Sequence, residues 1–179
     1  MIRIKPHLVA IALGGLLADA AVSSELTRVF YSGYFEAHVP TRSLEGATFF
    51  TSDGPGIRFG DGSHLAGMIV TRESAGLGSE FELQDYPRYL FGQKSLDNLS
   101  AEAADRFSRS RSELKASLGD PAFESASISG ATLYTACSTR CEGFVVQDGQ
   151  DEQILHLTSR GFNQADLIKL LQGGDDAVK

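Results

Sequence analysis

The sequence predicts an α+β fold: a mostly antiparallel β-sheet, with a central amphipathic helix over about residues 100–118 and a C-terminal helix over about 163–172 packed on it. Three observations carry this. Short runs of period two recur along the chain between Gly-, Asp- and Ser-rich turns. Three such runs near the C-terminus are joined only by "STR" and "DGQD", connections suited to antiparallel neighbours. Two segments instead carry apolar residues at three- and four-residue steps, apart from the strands rather than alternating with them.

Taken in order, "SELTRV" predicts a short helical turn, with Ser23 or Ser24 as its cap. "FYSGYFEAHVP" predicts one strand. Tyr31, Phe35, Ala37 and Val39 fall on one face, Ser32, Tyr34, Glu36 and His38 on the other, and Pro40 ends it. "GATFFT" is a second short strand. Ile57–Phe59 and Leu65–Thr71 read as hairpin arms, with Asp61-Gly62 supplying the tight connection. Residues 74–98 read as a long loop with one helical turn near Tyr86–Phe91, and loops of that length often carry function.

The central helix has Ser100 as N-cap, Glu102 and Asp105 in its first turns, and a stripe of Leu99, Ala103, Phe107, Ser110, Leu114 and Leu118. Gly119 and then Pro121 stop it. Three meander strands follow, "SISGATLYTA", "CEGFVVQ" and "QILHLTS". The closing helix has Asn163 as cap, Leu167, Leu170 and Leu171 on its apolar side, and Gly173 as stop.

The chain has 179 residues, 42% hydrophobic and 22% charged, enough for one domain with a real core. Its N-terminus reads as a cleaved secretory leader over 1–20. Arg3 and Lys5 precede an apolar run from Leu8 to Leu17, and Ala18-Asp19-Ala20 offers a small-residue cleavage site. The apolar run is too short to span a bilayer, which takes about 20 residues, and no cysteine follows it to take a lipid anchor. The expected organisation is thus leader 1–20, one α+β domain over 21–174, and a disordered tail over 175–179. Export places the chain in a periplasm or outside the cell, with no stable membrane anchor once the leader is cut.

The formal charge is −7. That balance excludes nucleic acid as a natural partner and disfavours anionic lipid. It suits a basic partner protein, such as a cationic wall-degrading enzyme.

The layout resembles the Mog1/PsbP-like α/β/α sandwich. The likeness rests on "GYFEAHVP" after a short helix, then a sheet, then the closing strand and helix "ILHLTSRGFNQADLIKLLQ". The aromatic that often follows the family's opening proline is replaced here by Thr41-Arg42-Ser43. The resemblance implies a fold and no particular activity.

Chemistry is sparse. No G-x-S-x-G elbow, H-E-x-x-H, P-loop or EF-hand loop is present, so no cofactor and no catalytic residue is assigned. Ser112-Glu113-Leu114-Lys115 matches S-x-x-K but lacks the S-D-N and K-T-G partners that motif needs. Asp61, Ser63 and His64 cluster on one turn, where adjacent side chains point apart and cannot align as a triad. His156 alternates with Ile154 and Thr158, which predicts partial burial. Arg106, Arg109 and Arg111 form a basic group on the central helix, either a solvated face or a contact for an acidic partner.

Cys137 and Cys141 are the only cysteines. Zinc needs four ligands and no histidine lies near them in sequence, so no metal is expected. Redox pairs favour C-x-x-C at a helix N-terminus, whereas this is C-x-x-x-C between apolar strands. Equal arms around Thr139 place Cys137 opposite Cys141, Thr135 opposite Gly143 and Leu133 opposite Val145. Opposed residues stand about 4.5–5.5 Å apart, so a disulfide is expected in an oxidising compartment.

The resulting expectation is an exported, non-catalytic binding or accessory protein of the cell envelope, of the inhibitor or immunity type. Its partner surface would comprise Ser138, Thr139 and Arg140 at the tip with Asp61, Ser63 and His64 at the turn. The alternative is a small periplasmic hydrolase or ligand-binding domain with a His/carboxylate cleft, drawing on Glu36, His38 or His64.

Overall fold

In the computed structural model, residues 25–33, 35–51, 54–76, 81–128 and 130–172 are described. The expected leader and tail lie outside them. Strands that alternate in sequence meet in one seven-stranded antiparallel sheet, and helices stand apart from the strands in sequence, which is the α+β arrangement expected. The sheet strands are β3 (Thr48–Phe50), β4 (Gly56–Arg58), β5 (His64–Thr71), β6 (Ala122–Ile128), β7 (Ala131–Cys137), β8 (Arg140–Gln147) and β9 (Gln153–Arg160). Their spatial order is β3-β4-β5-β9-β8-β7-β6. A separate two-stranded unit pairs β1 (Leu26–Phe30) with β2 (Glu36–Pro40). The helices are α1 (Tyr86–Leu90), α2 (Ala101–Leu118) and α3 (Gln164–Gln172).

Three expectations are corrected. The described part of "SELTRV" is not a helical turn: Leu26–Phe30 is extended and pairs with β2, from Leu26 opposite Pro40 to Phe30 opposite Glu36, while the expected caps Ser23 and Ser24 lie outside the described residues. A helix of that length is unstable alone, whereas Thr27, Val29 and Phe30 suit a strand with a partner. "FYSGYFEAHVP" is not one strand. The chain reverses near Ser32-Gly33, where the N–H groups of Tyr31 and Ser32 both donate to the Phe35 carbonyl. "SISGATLYTA" is likewise two strands, split at Gly130, whose φ of 70° turns the chain between Ile128 and Ala131. The first of these, β6, is an edge strand that is mostly exposed, so it shows no apolar alternation to read.

Alternation along the central strands divides the core in two. Leu65 of β5, Val145 of β8, and Leu155 and Leu157 of β9 face one way, into a core closed by β2 and by Leu167 and Leu170 of α3. Val70, Phe144, Val146 and Ile154 face the other way, into a core closed by Phe81, Leu83, α1, and Phe107 and Leu118 of α2. Central strands buried on both sides read as near-continuous apolar runs, as "GFVV" does.

The helices begin where their caps predict. Ser100 Oγ accepts from the Ala103 N–H at 3.3 Å. Asn163 Oδ1 accepts from the Asp166 N–H and Asp166 Oδ2 from the Asn163 N–H, a reciprocal box that satisfies two first-turn donors. No helix among the described residues is long and apolar enough to cross a membrane.

Several buried hydroxyls on the α3 side of the sheet lack a partner among the described residues, those of Tyr31, Thr135 and Ser159. The Thr135 hydroxyl is buried with no hydrogen-bond partner among the described residues. A buried hydroxyl without a partner forfeits its hydration. Thr135→Val is therefore expected to stabilise the protein by about 1 kcal/mol. A lowered thermal midpoint would show that the hydroxyl is in fact paired.

Candidate binding face

The α1/α2 layer covers only part of its side of the sheet. Beyond it, towards β3, the sheet surface is open. A shallow depression of about 230 Å³ lies there, lined by Phe50, His64, Ala66, Met68, His156 and Thr158. Met68 is 38% exposed, unusual for a mid-strand thioether side chain.

Strand register explains what borders this depression. Arg58 of β4 pairs with His64 of β5, His64 with Arg160 of β9, and Arg160 with Arg140 of β8. Residues directly opposed across strands project to one face. The end of the sheet thus carries a four-membered row, Arg58–His64–Arg160–Arg140, on the uncovered side. All three arginines are exposed and His64 is half-buried. Among the described residues none of these three arginines has an ion-pair partner, whereas Arg28, Arg72, Arg88, Arg106 and Arg109 each have one. Burial first, and then Arg58, Arg160 and Arg140 in that order, hold the His64 imidazole below its ordinary pKa.

That depression has a consequence for stability. The unfolded chain takes up a proton on His64 near pH 6.5, while the folded chain resists it. Stability is therefore lost as pH falls below about 6.5. His64→Gln is expected to flatten that acid-side loss in denaturant titrations. An unchanged pH profile would rule His64 out as its source.

Behind the row, Glu142 Oε2 lies 2.7 Å from His156 Nε2. The imidazole stacks on Phe144, with ring centroids 4.5 Å apart and planes 10° apart. The imidazole is therefore held by two contacts, the carboxylate and the ring. No hydroxyl or thiol is hydrogen-bonded to His156 among the described residues. The arrangement can donate and accept hydrogen bonds and offer cationic charge.

The residues expected from sequence are partly united here. His64 and Arg140 come from separate turns and enter the same row. Asp61 and Ser63 brace the turn: Asp61 Oδ1 accepts from the Ser63 N–H at 2.8 Å and from Ser63 Oγ at 2.6 Å. The Ser63 hydroxyl bond, then the backbone one, hold the Asp61 carboxyl below the usual range. Ser138 Oγ donates to the Leu118 carbonyl and ties the tip to the end of α2. Thr139 is exposed at the tip.

Glu36 and His38 pair at 3.0 Å on the β1–β2 unit. That unit packs on the opposite side of the sheet from His64, so these three do not share a cleft. The basic group on α2 is dispersed. Arg106 pairs with Glu102 and Arg109 with Asp105. Arg111 turns inward and donates to the Tyr89 and Lys94 carbonyls at 2.7 and 3.0 Å, joining α2 to α1. Ser112 Oγ donates to the Ser108 carbonyl within the helix.

Arg58, Arg160, Glu142 and His156 escape the sequence reading as site residues. The polar alternation His156, Thr158, Arg160 in an otherwise buried strand is the signal that marks an open face there.

Cys137 and Cys141 stand directly opposed, at disulfide distance and 4.1 Å between Cα atoms. They face the α3-side core, away from the open face. Among the described residues no group of three or more His, Cys, Asp or Glu could hold a metal. Reducing the pair is expected to cost about 2 kcal/mol, the loop-entropy figure for so short a ring. An unchanged denaturation midpoint after reduction would show that the pair does not brace the fold.

No family model, no curated protein and no solved structure matches the chain. Fold and surface therefore define only a class: an α+β protein with one sheet face covered and the other left partly open beside a cationic row.

Proposed function

We propose that this is an exported, non-catalytic binding protein that docks another protein on the open half of its sheet. The observation that carries the reading is the uncovered apolar shelf around Met68, bordered by side chains able to fix a partner's orientation. An apolar centre with a polar rim is the usual anatomy of a recognition surface. The leader-like N-terminus, and two cysteines placed to bond in an oxidising compartment, support export.

A photo-crosslinking side chain at Met68 is expected to capture a discrete protein in the envelope fraction of the native cell. The same group at Glu113, exposed on α2, is expected to capture none. Equal capture at both positions, or capture only at Glu113, would remove the open face from the proposal. Export is checked separately by N-terminal sequencing of the native protein, which is expected to begin at Ala21 and not at Met1.

A further inference from the structure

We infer that the row Arg58–His64–Arg160–Arg140 receives an acidic stretch of the partner, laid in extended form across the ends of β4, β5, β9 and β8. The inference rests on the docking reading above and adds the chemistry of what docks. Three facts lead to it.

The first is an uncompensated cost. Like charges directly opposed across strands destabilise a sheet. Here Arg140 opposes Arg160, and the half-buried His64 stands between Arg160 and Arg58. The chain is rich in carboxylates, with 23 Asp and Glu against 16 Lys and Arg. None of these three arginines has an ion-pair partner among the described residues, and Glu142, two positions from Arg140 on the same face, is engaged by His156. A bound anion would remove the repulsion, so its binding energy includes relief of that cost.

The second is spacing. Adjacent strands lie about 4.8 Å apart, so Arg58 and Arg140, three strand gaps apart, are separated by roughly 14 Å at the backbone. Alternate side chains of an extended chain repeat about every 6.7 Å. Acidic residues at three alternate positions therefore span the same row. Arginine's planar fork can engage each carboxylate through two N–H groups.

The third is the charge outside the row. A chain of net charge −7 repels a long polyanion. A short acidic segment needs only the local field. The basic partner suggested by overall charge would meet three arginines here, so the sign of the partner follows the face and not the sum.

The test uses the mature protein and two fluorescent peptides, one with glutamate at three alternate positions and one with glutamine there. The glutamate peptide is expected to bind at least about tenfold more tightly at low salt, and to weaken as salt rises. The triple variant R58Q/R140Q/R160Q is expected to lose that preference while its thermal midpoint stays level or rises. A short inorganic polyphosphate is the third probe. If it binds more tightly than the glutamate peptide and loses binding in the triple variant, the row is a phosphate site and the acidic-segment assignment is overturned. Equal binding of the two peptides, or an unaffected triple variant, also overturns it. The two readings fail separately. If the Met68 crosslink persists in the triple variant, docking stands and the charge assignment falls. If Met68 captures nothing in either protein, the docking reading itself falls.

Discussion

Phe107→Ala is expected to cost about 3–5 kcal/mol. The α2 helix is long and mostly exposed, and its buried residues are Phe107 and Leu118. Phe107 stands at the centre of an aromatic cluster, with ring centroids 5.3 Å from Phe81, 5.3 Å from Tyr89 and 5.6 Å from Tyr86. These rings join α2 to α1 and to the segment before it. Removing the benzyl group leaves a cavity walled by rings that cannot easily fold inward, which raises the cost. Denaturant midpoints with an unchanged slope would measure it. A loss below about 1 kcal/mol would mean that α2 is held chiefly by Arg111 and its two carbonyl bonds.

Leu157→Ala is expected to cost about as much, near the top of the 2–5 kcal/mol range for such a truncation. Leu157 is 1% exposed on the central strand β9. Its two cross-strand neighbours are both glycines, Gly67 of β5 and Gly143 of β8. Glycines have no side chain to lean into the vacated space. The ring of Tyr31 already occupies the position over Gly67, where an added Cβ would stand 2.5 Å from it. The site therefore has little room to relax. Leu157 and Phe107 lie on opposite faces of the sheet and share no partner, so their losses should add to within about 0.5 kcal/mol in the double variant. A strongly non-additive result would show that the two cores are coupled through the sheet.

Much of the fold can be read from the chain because it is specified locally. The Ser100 and Asn163 caps, the Gly119 stop and the register around Thr139 each depend on residues within a few positions of one another. The β1 strand could not be read, because its pairing partner decides between turn and strand and its own pattern does not. The β6 strand could not be read, because an exposed edge has no apolar face. The candidate site was half legible. His64 and Arg140 stood out at two turns, but as two separate features. What unites them is the β5–β9–β8 order, which joins residues 64, 160 and 140 in one row, and no local pattern encodes that order. Arg111 misled for the same reason: helical spacing placed it with Arg106 and Arg109, while its partners Tyr89 and Lys94 lie in α1 and in the turn after it.

The place of β9 has a consequence for how the chain acquires its structure. Among the described residues it is the last strand in sequence, and it lies mid-sheet, joining the β3–β5 meander to the β6–β8 meander. Its pairing with β5 brings Thr71 opposite Gln153 and His64 opposite Arg160. Neither half of the sheet can close on the other until residue 160 has been synthesised, and contacts so distant in sequence form slowly. A nascent chain of this design keeps its sheet open until β9 has been made. The pairing of β9 with β5 and β8 is then the latch that sets the two halves of the sheet against each other.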